Sequence, residues 1–273
     1  MPVSPDRVVA VIPARLASTR LPRKVLREVA GQPLLSWVVR NALRWQEIGR
    51  VVVAADSKEV AELCAARGWE CLMTSPELPS GSDRLFAVSR EIDADIYINI
   101  QADEPLMSDV HIRELLLPFR NPDVGITTLK VACREEDVAN PNVVKVVTAP
   151  TGRALYFSRA TIPFNRDNQP TIYWKHLGLY AYRKAALERF AALPPGQLEQ
   201  TERLEQLRLL ENGIDIYVAN GFFDTIGVDT EEDLQRVDAL LRETSRGRVS
   251  GELDRVDGDR DPAVIRSCPD VSE

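Results

Sequence analysis

Only four cysteines (Cys64, Cys71, Cys133 and Cys268) occur in the 273 residues, and no two stand in a CxxC pair. That scarcity argues against a disulfide scaffold or a cysteine-rich zinc site and points to a reducing compartment. Long apolar runs are missing as well: no window reaches the roughly 18 consecutive apolar residues of a membrane span. The opening MPVSPDR has neither the basic nor the apolar region of a secretory leader, so the expectation is a cytoplasmic protein with no membrane partner. Positive charge is not in excess. With 34 Lys+Arg against 41 Asp+Glu, the formal net charge of -7 speaks against coating nucleic acid. Any anionic ligand must therefore meet a local basic site. The loop after the first apolar run also lacks a glycine-rich turn, which speaks against an NAD-dependent oxidoreductase.

What is present is ordinary globular composition, 44% hydrophobic and 27% charged, enough for one large α/β domain or a domain with an insertion. The apolar run Val8 to Ile12 reads as a buried strand that breaks at Pro13. Behind it comes a loop carrying Arg15, Arg20, Arg23 and Lys24, with Ser18 and Thr19. Open α/β sheets bind ligands at the carboxyl ends of their strands, so these cations are placed to cradle a polyphosphate. Charge alone favours a solvated loop, since most charge clusters are solvated faces.

Farther along, Pro33 opens a helix that Gly49 ends, and Val51 to Ala54 is a second strand. Asp56-Ser57 caps a helix over Glu59 to Arg67 that Gly68 stops, and a short strand follows at Glu70 to Met73. A polar loop from Thr74 to Arg84 leads to a helix at Leu85 to Glu91, a strand at Ile96 to Ile100 and a helix at about Asp109 to Pro118. Strands and helices in alternation imply a mostly parallel, doubly wound sheet. Between 125 and 185 strands follow one another without helices, which reads as an antiparallel insertion for substrate or dimer contacts. Helices return at Lys184 to Ala192 and Glu199 to Glu211, a strand at Ile214 to Val218, and a capped helix at Thr230. The expected organisation is one domain over 1–244 and a disordered or loosely attached tail over 245–273.

Four groups of residues carry candidate chemistry. Asp103, just after the strand at Ile96, is placed to hold a hard divalent cation such as Mg²⁺, or else is a turn residue. Asp229 is a candidate second carboxylate, with Asp224 and Asp233 competing on local sequence and a helix cap as the plainer role. In Ser80 to Arg84, Gly81 would allow close backbone approach and Arg84 would offer a cation, although a helix cap explains the serines as well. His176 would share a strand face with Gly178 and Tyr180, whereas His111, early in a surface helix, is given no role.

Taken in order, IPARLASTRLPRK, SGSDR, NIQADEP, PNVVKVV, ALYFSRATIP, KHLGLYAYR, LEQLR and GVDTEEDL closely resemble the 3-deoxy-D-manno-octulosonate (Kdo) cytidylyltransferases, from Val8 to about Leu241. The resemblance implies a Rossmann-like nucleotidyltransferase fold, and a reaction in which CTP and Kdo give CMP-Kdo and pyrophosphate with Mg²⁺. It further implies the cytoplasm of a lipopolysaccharide-making bacterium and a homodimer. By motif, Arg15 and Lys24, with Arg20 as helper, would bind the triphosphate, and Ala14, Ser80 and Gln101 would surround the cytidine. Asp103 and Asp229 would hold the metal; Arg159, His176, Tyr180, Glu205 and Gln206 would line the sugar-acid pocket. Arg159 would grip the substrate carboxylate with two hydrogen bonds. The chain departs from the family pattern at Ala102, at Ser82-Asp83, at Arg23 (where glycine is usual) and in LEQTER. An 8-amino-Kdo or a sialic-type nonulosonate therefore remains a competing substrate. A catalytically dead nucleotide sensor is disfavoured by the retained Asp103 and Asp229.

Overall fold

The computed structural model of the chain describes residues 4–18 and 20–253, so Thr19 and the stretch 254–273 of the expected tail lie outside the described residues. The first strand, Val8–Ala14 (β1), is buried at every position. A short ladder of Glu28–Val29 (β2) with Gln32–Pro33 (β3) precedes helix Leu34–Ala42 (α1). Then Arg50–Ala55 (β4), Lys58–Arg67 (α2), Cys71–Met73 (β5), Gly81–Glu91 (α3) and Ile96–Asn99 (β6) alternate as expected. Beyond them come Asp109–Leu116 (α4), Ile126–Ala132 (β7), Glu135–Val138 (α5), Lys145–Thr148 (β8), Ala154–Ser158 (β9) and Trp174–Arg183 (β10). The last elements are Lys184–Ala192 (α6), Gln197–Glu202 (α7), Leu207–Glu211 (α8), Tyr217–Asn220 (β11) and Glu231–Leu253 (α9).

The sheet is ordered β11-β7-β10-β6-β1-β4-β5, with β8 and β9 joined to it where Lys145 meets Lys175. Strands β6, β1, β4 and β5 are parallel, β11 is parallel to β7, and β10 is antiparallel to both of its neighbours β6 and β7. Each face is covered. Val8, Ala10 and Ile12 of β1 pack in one core cluster, while Val9 and Val11 pack in the other. That two-sided burial is why β1 reads as an unbroken apolar run. From β1 the chain winds outward to β4 and β5, then crosses back to β6 on the other side of β1. The crevice at this reversal, at the carboxyl ends of β1 and β6, is where open α/β sheets bind ligands.

Several expectations need correction. β1 does not stop at Pro13, which pairs with Ala54. Ile100 N donates to Val11 O on the β6 side at 3.0 Å. Pro13 faces that side too, past the last β6 ladder residue, so its missing N–H forfeits no sheet bond. Helix α1 ends at Ala42 and Gly49 lies in the following loop, where a Cβ would stand 2.5 Å from Pro5 O. Antiparallel strands do fill 125–185, but β7 and β10 belong to the central sheet, and short helix α5 interrupts them. What stands off is the β8–β9 arm, anchored by buried Lys145, whose Nζ donates to Asn140 O, Val143 O and Arg159 O. The single helix expected over Glu199 to Glu211 is two, because Arg203 adopts a left-handed conformation (φ 56°) and turns buried Leu204 inward. His111 is fully buried, not on the surface; its Nδ1 faces Ser108 and its Nε2 faces Phe223 O. The α9 backbone continues past Glu243 to Leu253, into the stretch expected to be a tail, where no proline interrupts it.

Candidate active site

The basic loop after β1 delivers Lys24 through a tight turn in which Arg23 holds φ 57°. That left-handed conformation explains why glycine suits position 23. The Arg23 side chain points away, to an exposed ion pair with Glu59. Lys24 Nζ donates to Asp103 Oδ2 at 2.5 Å and to Asp229 Oδ1 at 2.9 Å, and Arg20 reaches the other oxygen of Asp229 at 3.0 Å. Burial works against the Lys24 charge, but the two carboxylates outweigh it and hold the ammonium above its ordinary range.

Asp103 sits in the turn that follows β6, where Glu104 N donates to Gln101 O. Asp229 is brought from the far end of the chain by a backbone strap, Val228 N to Asp103 O at 2.9 Å. The local rivals of Asp229 are otherwise engaged. Asp233 caps α9 by accepting from Asp229 N, Thr230 N and Thr230 Oγ, while Asp224 pairs with Lys175 at 2.8 Å. Of these three acids, Asp229 is the one that meets Lys24.

Arg15, Arg20, Lys24, Gln101, Asp103 and Asp229 line one cleft of about 640 Å³. A neighbouring cleft of about 760 Å³ shares Arg20, Gln101, Asp103 and Asp229 and adds His176, Tyr180, Glu205 and Gln206. His176 and Tyr180 do share a face, with ring centroids 5.4 Å apart, and Thr128 Oγ lies 3.0 Å from His176 Nε2. Glu205 accepts from Ser82 Oγ at 2.7 Å, and burial pushes its carboxyl up. Burial likewise pushes the His176 imidazole down to about 3.

The sign of that last shift gives a pH prediction. A folded-state value below the unfolded one (ordinarily near 6.5) contributes stability that is present above pH ~6.5 and lost as pH falls toward the folded value. Between pH 7 and pH 4 the loss from His176 should be about 3 kcal/mol. In urea unfolding at both pH values, His176→Gln should lose less stability than wild type by that amount. Equal losses would show that the imidazole is not held neutral.

Four of the residues expected around the ligands, Arg159, Arg84, Ser80 and Ala14, are not on the walls of these two clefts. Arg159 lines neither cleft; its guanidinium donates to Glu202 O at 2.8 Å, Pro141 O at 3.0 Å and Arg203 O at 3.4 Å. Three of its five N–H donors are thus held by backbone carbonyls, and the cations on the wall of the second cleft are Arg20, Arg134, Lys175 and Arg236. Arg84 is fully buried beneath the loop it was expected to arm, bound to Thr74 Oγ and Asp56 Oδ2. Asp56 in turn accepts Leu16 N at 3.0 Å, so Ser57 alone caps α2. Ser80 is the N-cap of α3 in a reciprocal box with Asp83, and Gly81 packs against Asn99 and Pro13, where a Cβ would stand 3.3 Å from the Asn99 amide. Ala14 ends β1, fully buried. Arg134, Lys175, Arg236 and Glu104 went unnoticed in the sequence; the one available signal was the position of Glu104 beside Asp103.

Asp103 and Asp229 present hard oxygens to a single point, the Lys24 ammonium. Among the described residues no group of three or more His, Cys, Asp or Glu side chains forms a metal cage. Two carboxylates suit a Mg²⁺ ion shared with nucleotide phosphates and water, so these residues fit that kind of site.

A family model described as Cytidylyltransferase matches residues 9–216. A 3-deoxy-manno-octulosonate cytidylyltransferase of Acidobacterium capsulatum is 59% identical over 240 residues, covering 88% of this chain and 98% of the relative. One from Koribacter versatilis is 54% identical, covering 86% and 90%. The solved structure of a CMP:2-keto-3-deoxy-manno-octonic acid synthetase complexed with CTP superposes with TM-score 0.84 at 40% identity, covering 87% of this chain and 99% of that one. A 4-diphosphocytidyl-2C-methyl-D-erythritol synthase from Anaerococcus prevotii, at 16% identity and TM-score 0.59, shares the fold alone. The chain belongs to the cytidylyltransferase family, and within it to the 3-deoxy-manno-octulosonate cytidylyltransferases.

Proposed function

We propose that the chain transfers CMP from CTP to the anomeric 2-hydroxyl of Kdo, forming CMP-Kdo and releasing pyrophosphate. The observation that carries this reading is the Asp103–Lys24–Asp229 cluster, which faces the arginine-lined cleft and also borders the cleft holding His176, Tyr180, Glu205 and Gln206. One cleft suits the triphosphate and the other the sugar acid, and the reacting phosphorus belongs where they meet. The sugar hydroxyl attacks the α-phosphorus as pyrophosphate departs. Such transfer depends on positioning and charge neutralisation. Arg15, Arg20 and Lys24 spread positive charge along the phosphates, and Gln101, shared by both clefts, stands between nucleotide and sugar. Arg134 and Lys175, ion-paired with Asp137 and Asp224, are cations on the wall of the sugar cleft that could turn to the sugar carboxylate, while Arg159 braces the loops around the pocket. Asp103 and Asp229 would hold Mg²⁺, which when bound supplies further neutralisation of phosphate charge.

The same reading places the protein in the cytoplasm, in lipopolysaccharide precursor synthesis, as a homodimer. A dimer is supported by the arm region, where Phe164 is 86% and Ile172 66% exposed. Among the described residues no helix is long and apolar enough to cross a membrane. Initial rates with CTP and a panel of Kdo, 8-amino-Kdo and N-acetylneuraminate test the substrate. We expect kcat/KM for Kdo to exceed that for the sialate by at least about 10²-fold. A preference for the sialate would overturn the assignment.

A further inference from the structure

Glu104 has no part in the transfer as described, yet it lies at the junction of the two loops that carry the paired carboxylates. Its Oε2 atom is shut off from solvent without a hydrogen-bond partner, and burial pushes its carboxyl up to about 8. The loop bearing Asp229 is seated directly on this side chain. At Gly227 a Cβ would stand 3.0 Å from Glu104 Oε1 and 3.5 Å from its Cδ, so the approach is as close as a glycine allows. Thr225, two residues before, is also buried and lines the same cleft as Glu104. The residue after Gly227 makes the strap, Val228 N to Asp103 O at 2.9 Å, and the next is Asp229 itself. Thus the approaches Gly227–Glu104 and Val228–Asp103 run in register along two loops more than a hundred residues apart in sequence, and end at the carboxylate that shares Lys24 with Asp103.

We propose that Glu104 is a positioning residue: its side chain is a spacer beneath Gly227 that fixes the separation of Asp103 from Asp229. The role belongs to its size and place rather than to a charge, since a neutral side chain of the same shape would fill the gap equally well. The inference rests on the reading of Asp103 and Asp229 as a joint cation site.

Mn²⁺ titration of the full chain with CTP, read against CTP alone by loss of the free-ion paramagnetic resonance, tests both statements and keeps them apart. Glu104→Gln keeps the spacer and should bind Mn²⁺ within about twofold of wild type. Glu104→Ala removes it and should weaken binding by roughly 10–100-fold, the usual effect of losing a residue that orients a ligand; Gly227→Ala sets a methyl 3.0 Å from Glu104 Oε1 and should weaken it less, though by more than about twofold. Thermal unfolding of each variant separates this effect from a loss of fold, and Gly227→Ala serves if Glu104→Ala does not fold. Binding by folded Glu104→Ala or Gly227→Ala within twofold of wild type would overturn the spacer role. So would a Glu104→Gln protein as weak as Glu104→Ala. If wild type binds no Mn²⁺, or binds it unchanged when Asp103 and Asp229 are both asparagine, the joint cation site itself is wrong and the inference falls with it.

Discussion

Asp103→Asn should lower the rate of CMP transfer by roughly 10²–10³-fold with the protein still folded, and Asp229→Asn should do the same. Asparagine matches aspartate in size, so the turn after β6 and the strap from Val228 to Asp103 O need not change. What changes is charge. Lys24 loses one of the two carboxylates that hold its ammonium in place, and the cation site loses one of its two anionic ligands. The effect is expected to be large because Lys24 is only 14% and Asp103 26% exposed, so bulk water screens that pair weakly, while Asp229, 45% exposed, acts through its place at the shared cation site. Initial rates at saturating Mg²⁺, with circular dichroism as a check on folding, give the answer. Near-wild-type turnover in either variant would remove that residue from the essential set.

The second large effect is on stability. Arg84 is fully buried, and it binds Thr74 Oγ at 2.6 Å, Ser75 O at 3.1 Å, Leu78 O at 3.4 Å and Asp56 Oδ2 at 3.3 Å. Burial pulls its guanidinium down, with the Asp56 charge acting in the opposite direction. Arg84→Met fills the space but leaves a buried carboxylate and two carbonyls without their donor. Breaking a buried pair in this way costs about 3–5 kcal/mol. Because Asp56 also holds Leu16 N, the basic loop should loosen as well, and KM for CTP should rise. Urea unfolding measures the first effect and steady-state kinetics the second. Arg84→Met with Asp56→Leu should be less damaging than the sum of the single changes, because the stranded carboxylate is gone. A loss below about 1 kcal/mol for Arg84→Met would mean that the pair is not structural.

How much of this was legible in the sequence depends on the range of the interaction concerned. The parallel core was readable because β1, β4 and β6 are short apolar runs set off by helical periodicity, which is local information. Lys24, Asp103 and Asp229 were readable as types at strand ends; the motif resemblance picked Asp229, but local sequence did not separate it from Asp224 and Asp233. That choice depends on a cap made by Asp233, whose Thr-x-x-Asp pattern is local, and on a salt bridge from Lys175, which has no local signature. Arg84 was misread because an arginine in a loop motif looks like a ligand cation, and only the packed structure shows it fully buried and bound to backbone carbonyls and Asp56. Arg159 carries the same motif signal, and the structure adds that backbone carbonyls hold three of its N–H groups. The break at Arg203 was hidden because a left-handed arginine breaks no sequence rule; the packing of Leu204 imposes it.

Phosphorus NMR of the purified chain incubated with CTP, Kdo and Mg²⁺ observes the reaction itself. Loss of the CTP resonances should be matched by equal amounts of pyrophosphate and a new CMP phosphodiester, and should stop when the divalent cation is chelated. Orthophosphate in place of pyrophosphate, or CTP left intact, would contradict nucleotidyl transfer at the Asp103–Lys24–Asp229 centre.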